Sequence, residues 1–251
     1  MIATDLSFFL IAAPAVIFAS VSKAGFGSGA AFVSSSILAL VLDPGHALGI
    51  MLPLLMLVDA FSMRPYWKKW SWPDARLLIL GGIPGTALGA WLYTIADANL
   101  FRLLIGAVCL LFVLWQSLLW LGVARMLNRP MPPSAGLIAG VVAGFTSFVS
   151  HAGGPPASVY LLSRRLTKTE FQGTTVVLFW VLNIVKFVPY AFLGIFTAQT
   201  LLIDLMLAPF ALLGAWIGIR AHALVPERAF FALTYVLLTA TGLRLIWIAL
   251  A

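Results

Sequence analysis

Long apolar runs separated by short polar connections occupy almost the whole chain. A helix needs about 20 apolar residues to span the hydrocarbon of a bilayer. Runs of that length predict helices at 45–63, 76–96, 100–121, 171–194, 201–219 and 229–250. Two further apolar stretches are interrupted. The first breaks at Ser22-Lys23-Ala24-Gly25-Phe26-Gly27-Ser28-Gly29, with apolar arms at 6–21 and 30–42. The second breaks at Ser150-His151-Ala152-Gly153-Gly154-Pro155-Pro156, with arms at 134–149 and 157–163. Proline removes a backbone donor and glycine weakens a helix, so a broken, hairpin-like element is expected at each. The arm 157–163 is too short to cross.

Composition settles the solvent. Residues AVILMFWYC make up 62% of the 251 positions and DEKR only 9%, against about 25% charged in soluble domains. The chain is therefore an all-α polytopic membrane protein. Its net charge of +7 could point to nucleic acid, but 11 of the 15 basic residues fall in four connections. These are 64–76 (Arg64, Lys68, Lys69, Arg76), 122–133 (Arg125, Arg129), 164–170 (Arg164, Arg165, Lys168) and 220–228 (Arg220, Arg228). The connections at 43–45, 97–99 and 195–200 hold no Lys or Arg. Threading the helices makes the two groups alternate, so the basic loops are expected in the cytoplasm and both termini outside. The N-terminus lacks a basic stretch and a small-residue cleavage site, and residues 1–22 read as mature protein. The single cysteine, Cys109, excludes an internal disulfide and a cysteine-based metal cluster. With only three histidines, His46, His151 and His222, and no acidic cluster, neither a metal site nor a cofactor is expected.

The two halves resemble each other. Val21-Ser22-Lys23-Ala24-Gly25 matches Val149-Ser150-His151-Ala152-Gly153 at an offset of 128. Pro84 with Leu88-Gly89-Ala90-Trp91 matches Pro209 with Leu213-Gly214-Ala215-Trp216 at an offset of 125, and Asp59 aligns with Asn183 at 124. Residues 1–121 and 134–251 are thus read as two transmembrane repeats joined by a cytoplasmic linker at 122–133. Each repeat holds one broken or re-entrant helical hairpin and three transmembrane helices. A hairpin returns to its starting side, so three crossings invert the second repeat relative to the first. Inverted-topology repeats with interrupted helices characterise many secondary transporters, whose substrate sits near the midplane between the repeats.

A glycine-rich break near the N-terminus, repeated as Gly153-Gly154-Pro155-Pro156 within two related halves, resembles the TauE/SafE family. The resemblance covers essentially the whole chain. It implies a bacterial inner-membrane exporter of sulfite, sulfonates or related anions.

The residues themselves point toward an anion. A broken helix exposes unpaired N–H groups and a positive dipole end, which suit anions without many charged side chains. Gly25, Gly27 and Gly29 would let the backbone approach a ligand, and Ser28 offers a hydroxyl; Gly153 and Gly154 repeat the device. The alternative for each glycine cluster is close helix packing. Lys23 lies between long apolar arms and Lys186 within 171–194. Ionisable residues there cost about 2.5–3.5 kcal/mol on insertion scales and mark functional sites by default. Lys23 could instead snorkel, and Lys186 could pair with Asp59 for structure. Asp59 itself is read as a fixed ion-pair partner or a binder of a coupling proton. His151 is a candidate for proton coupling, for donation to substrate or for holding the break together. Asn183 precedes Lys186 by one turn and shares its face. Thr174 and Thr175 could offer hydroxyls to a ligand or bond their own backbone. Gly81, Gly85 and Gly89, like Gly136, Gly140 and Gly144, recur every four residues and read as close helix packing. Trp67, Trp70 and Trp72 beside Arg64, Lys68 and Lys69 read as an interfacial anchor rather than a nucleic-acid surface.

The expected function is a secondary transporter exporting, or passing, a small anion by alternating access, with the lipid bilayer and a coupling proton or ion as its other partners. There is no Walker pattern, so a gradient or a separate subunit must supply energy. A passive anion channel or the membrane subunit of a complex is the alternative. An intramembrane enzyme is disfavoured, because Ser22-Lys23 and Ser150-His151 are adjacent in sequence and adjacent residues do not form a dyad.

Overall fold

The computed structural model describes residues 6–26, 31–121, 130–221 and 227–251. Among them are ten helices and no strand: α1 (Leu6–Gly25), α2 (Phe32–Val41), α3 (Pro44–Met63), α4 (Trp72–Ile95), α5 (Ala98–Trp120), α6 (Pro133–Ser150), α7 (Gly154–Ser163), α8 (Lys168–Phe192), α9 (Ala198–Ala221) and α10 (Glu227–Leu250). All except α2 and α7 are long and apolar enough to cross a membrane. The six uninterrupted spans read from the sequence correspond to α3, α4, α5, α8, α9 and α10.

The interrupted stretches are helix pairs, α1–α2 and α6–α7, with one long and one short member. Helix α1 runs further than its apolar arm, through Ser22, Lys23, Ala24 and Gly25. Phe26 N still donates to Ser22 O at 2.8 Å. Helix α6 closes at His151, whose left-handed φ of 58° turns the chain. His151 N donates to Ser147 O at 2.9 Å and Ala152 N to Thr146 O at 3.2 Å, which satisfies carbonyls the ending helix would leave open. Helix α7 begins with Gly154, Pro155 and Pro156 in its first turn, where proline's missing donor costs nothing.

Glycines determine how the long helices meet. Helices α4 and α6 pack along their length in the same direction, Gly81 against the Leu137 carbonyl and Gly85 against that of Val141. Gly140 and Gly144 answer with the Leu78 and Gly82 carbonyls. Helices α1 and α9 pair likewise, Gly214 over Ile17 and Gly218 over Val21. Without side chains the backbones approach closely enough for extensive dispersion contact.

Large apolar side chains remain on the outside, including Leu80, Trp91, Leu111, Leu205 and Trp247. Apolar surface of this extent requires a nonaqueous neighbour, here lipid. Trp67 and Trp72 are also exposed, as an interfacial anchor requires.

The connections group on two faces. On one, Arg164 Nε bonds Asp74 Oδ1 at 2.8 Å, and Met131 N donates to Ser163 Oγ at 3.2 Å. Ser71 N there donates to Thr174 Oγ1 at 2.9 Å. On the other, Arg102 reaches Asp43 at 3.4 Å, and residues 43–46, 96–98 and 194–195 line a recess of about 380 Å³. The described parts of the basic connections thus lie together, apart from the connections without Lys or Arg.

Candidate functional site

Four long helices bring their ionisable residues to one small, buried cavity. It measures about 10 Å³ and is lined by Lys23, Ala31, Leu55, Ser147, His151, Phe179, Asn183 and Lys186. That is room for about one water molecule.

Lys23, from the last turn of α1, places Nζ 2.9 Å from Asp59 Oδ1 on α3. Its ammonium also lies 5.0 Å from the centre of the Phe179 ring, a cation–π distance. Asn183 on α8 donates to the second carboxylate oxygen, Asp59 Oδ2, at 2.7 Å. Exposure is 6% for Lys23 and 1% for Asp59, so the pair is withdrawn from water. Such a pair persists only when its geometry is good and the remaining lone pairs are bonded, and Asn183 supplies that bond.

Lys186 sits one turn beyond Asn183 and is completely buried. Its Nζ reaches Ser147 O at 3.2 Å, Ser147 Oγ at 2.9 Å and His151 Nδ1 at 3.0 Å. His151 Nε2 lies 3.3 Å from Leu48 O. The left-handed turn after α6 aims the imidazole between α3 and α8. Lys186 is therefore not an ion-pair partner of Asp59; that place belongs to Lys23. Tyr190 OH donates to Phe148 O at 2.7 Å and fixes α8 on α6 beside this group.

Sequence reading singled out Lys23, Asp59, His151, Asn183 and Lys186, and all five meet here. Gly25, Gly153 and Gly154 do not line the cavity. A Cβ on Gly25 would strike the Gly218 carbonyl, and one on Gly153 would lie 2.7 Å from Ala143 O and 2.8 Å from a Phe179 ring carbon. Both are positions of tight packing, and Gly25 also lines the recess toward the basic connections. Gly27, Ser28 and Gly29 lie outside the described residues. Thr174 and Thr175 bond their own helix, at Glu170 O (2.6 Å) and Gln172 O (2.8 Å). Two residues escaped notice: Ser147, which holds Lys186, and Phe179, under Lys23.

A second, larger recess of about 540 Å³ lies toward the basic connections, where Lys168, Gln172, Trp115 and Pro155 contribute to its wall. Gln172 Nε2 donates to Lys23 O at 2.9 Å and Ala24 O at 3.1 Å, joining this wall to the end of α1. Tyr66 OH bonds the same turn, at Ala24 O (3.2 Å). Burial pushes the Tyr66 phenol up to about 12, so it stays a neutral donor.

A sequence model described as "Sulfite exporter TauE/SafE" matches residues 12–245. The chain belongs to the TauE/SafE sulfite exporter family. That match spans every residue of the buried cluster and both helix breaks. Neither the curated proteins nor the solved structures contain a match. Membership in TauE/SafE together with eight crossing-length helices makes the chain a multi-pass membrane protein of a transporter family.

Proposed function

We propose that the chain is a secondary transporter exporting a small anion, such as sulfite, a sulfonate or a related sulfur-containing or organic anion. The observation that carries this reading is the buried cluster: two lysines beside one aspartate, around a small cavity where α1, α3, α6 and α8 meet. Buried charge of this kind is expensive to maintain.

Alternating access around the cluster is the proposed mechanism. The recess near Lys168 and Gln172 lies toward the basic connections and the recess near Asp43 and Tyr93 toward those without Lys or Arg, and the cluster shares no lining residue with either. A buried centre that neither recess reaches suits a carrier better than a continuously open pore. Residues 1–121 and 134–251 are proposed as inverted repeats. In support, Asp59 and Asn183 are sequence equivalents bonded directly to each other, as residues beside a two-fold axis would be. Lys23 and His151, also equivalents, line the same cavity. The pairing of α1 with α9 matches that of α6 with α4. The proposed setting is a bacterial inner membrane, with basic connections cytoplasmic and termini outside.

A thermal-shift screen of the purified protein against sulfite, sulfate, sulfonates and small carboxylates tests the reading. Stabilisation by a sulfur oxyanion, lost in Lys23→Ala while that variant stays folded, is the expected result. No stabilisation by any anion, or an unchanged response in Lys23→Ala, would contradict it.

A further inference from the structure

Charge around the buried cavity does not balance. Lys23 is matched by Asp59 at 2.9 Å, and Asn183 occupies the other Asp59 oxygen. Lys186 meets only neutral acceptors: Ser147 O, Ser147 Oγ and His151 Nδ1. The Leu48 carbonyl facing His151 Nε2 can only accept, so Nε2 carries a ring hydrogen. With Lys186 as the ammonium donor to Nδ1, the imidazole is neutral. Among the described residues no carboxylate lies within ion-pair distance of Lys186, whose exposure is 0%. With both lysines charged, the cluster holds one positive charge without a counter-charge, buried where an unpaired ion is costly.

We infer that the cluster is built for a singly charged oxyanion, Lys186 supplying the unmatched positive charge and Asp59 setting the limit of one by neutralising Lys23. This rests on the reading of the chain as an anion transporter and adds the charge of its cargo. A monoanion beside Lys186 brings the cluster to neutrality. A dianion leaves one negative charge buried without a partner, and a neutral solute leaves Lys186 as it is. Asp59 is thereby a specificity-determining residue that acts through Lys23. The cavity is smaller than a tetrahedral oxyanion, so the ion enters when the surrounding helices separate, with Lys186 and Asn183 already among its walls.

Methanesulfonate and sulfate make a matched pair of probes, both tetrahedral sulfur oxyanions of similar size, carrying one and two charges near neutral pH. Titration calorimetry on the purified protein in detergent is expected to show methanesulfonate binding roughly tenfold or more tighter than sulfate. Asp59→Asn removes the charge that cancels Lys23 and is expected to reverse the order in favour of sulfate. Lys186→Met leaves a neutral cluster and is expected to lose methanesulfonate binding. Sulfate binding to the wild type as tightly as methanesulfonate would overturn the inference, as would an unchanged preference in a folded Asp59→Asn. Should that variant not fold, Lys186→Met decides, and retained methanesulfonate affinity there overturns it. Failure of both anions to bind the folded wild type also overturns it. Sulfite flux through proteoliposomes then tells the two readings apart: if it persists, the transport reading stands alone, and if it is absent, both fall.

Discussion

Removing either partner of the Lys23–Asp59 pair leaves a charge buried between α1, α3 and α8, at a cost of about 3–5 kcal/mol. Lys23→Ala should therefore lower the thermal midpoint in detergent markedly. Removing both charges with apolar residues of similar size, Lys23→Met with Asp59→Leu, should recover most of that loss. The same double variant keeps the unmatched charge of Lys186 but loses the Lys23 ammonium from the cavity wall, and its anion flux is expected to fall below wild type. Wild-type flux from it would make the pair structural only. These residues were legible in the sequence because an ionisable side chain inside an apolar run is costly and therefore rare. Ser147 and Phe179 were not, since a serine sits unremarked in a helix and Phe179 is one of 18 phenylalanines. The glycines at the breaks were conspicuous but ambiguous. Gly25 and Gly153 admit a ligand or a helix equally well in sequence; both lie against carbonyls, of Gly218 and Ala143, and Gly25 also lines the larger recess.

Helices were read more accurately than their pairing. Hydropathy located α3, α4, α5, α8, α9 and α10 to within a few residues at each end. The breaks shifted because Ser22, Lys23 and Ala24 can continue a helix, and because the first turn of α7 accepts prolines. The four-residue glycine spacing announced close contact without naming the partner. Gly85→Ala puts a methyl against the backbone of Val141 and Phe145, which cannot rotate away. It should destabilise the α4–α6 contact by about 1–3 kcal/mol, seen as a lower thermal midpoint. A midpoint equal to wild type would show that the helices can separate freely there. Arg164 was read as a topology signal alone, yet it also joins the end of α7 to the start of α4. Asp74 accepts from Arg164 at 2.8 Å, Tyr160 at 3.0 Å and Ser71 at 2.6 Å. Arg164→Ala is expected to cost about 1.5–3 kcal/mol, the range for hydrogen bonds to charged groups, again read as thermal unfolding. An unchanged midpoint would remove Arg164 from that clamp.

For the molecule as a whole, charge patterning foretold which connections would gather together, because the two groups alternate along a threaded chain. Sidedness follows if the basic face is cytoplasmic. Cys109 is the single cysteine and is buried, so a Cys109→Ser background allows one reporter at a time. Lys69→Cys should react with a membrane-impermeant maleimide only after cells are permeabilised, and Asn99→Cys in intact cells; both positions are exposed. The reverse pattern would invert the orientation. What sequence could not supply was charge arithmetic within the cluster. The sequence offered Lys186 as a partner of Asp59, and the end of α1 beside α3 gives that place to Lys23 instead.

Anion exchange across proteoliposomes tests the central claim most directly. Purified protein is reconstituted, loaded with unlabelled sulfite and diluted into labelled sulfite, and uptake is followed against external concentration. A carrier with one closed central site predicts uptake that saturates and is accelerated by internal sulfite. Folded protein that gives no uptake, or uptake that rises linearly and ignores internal sulfite, would contradict it.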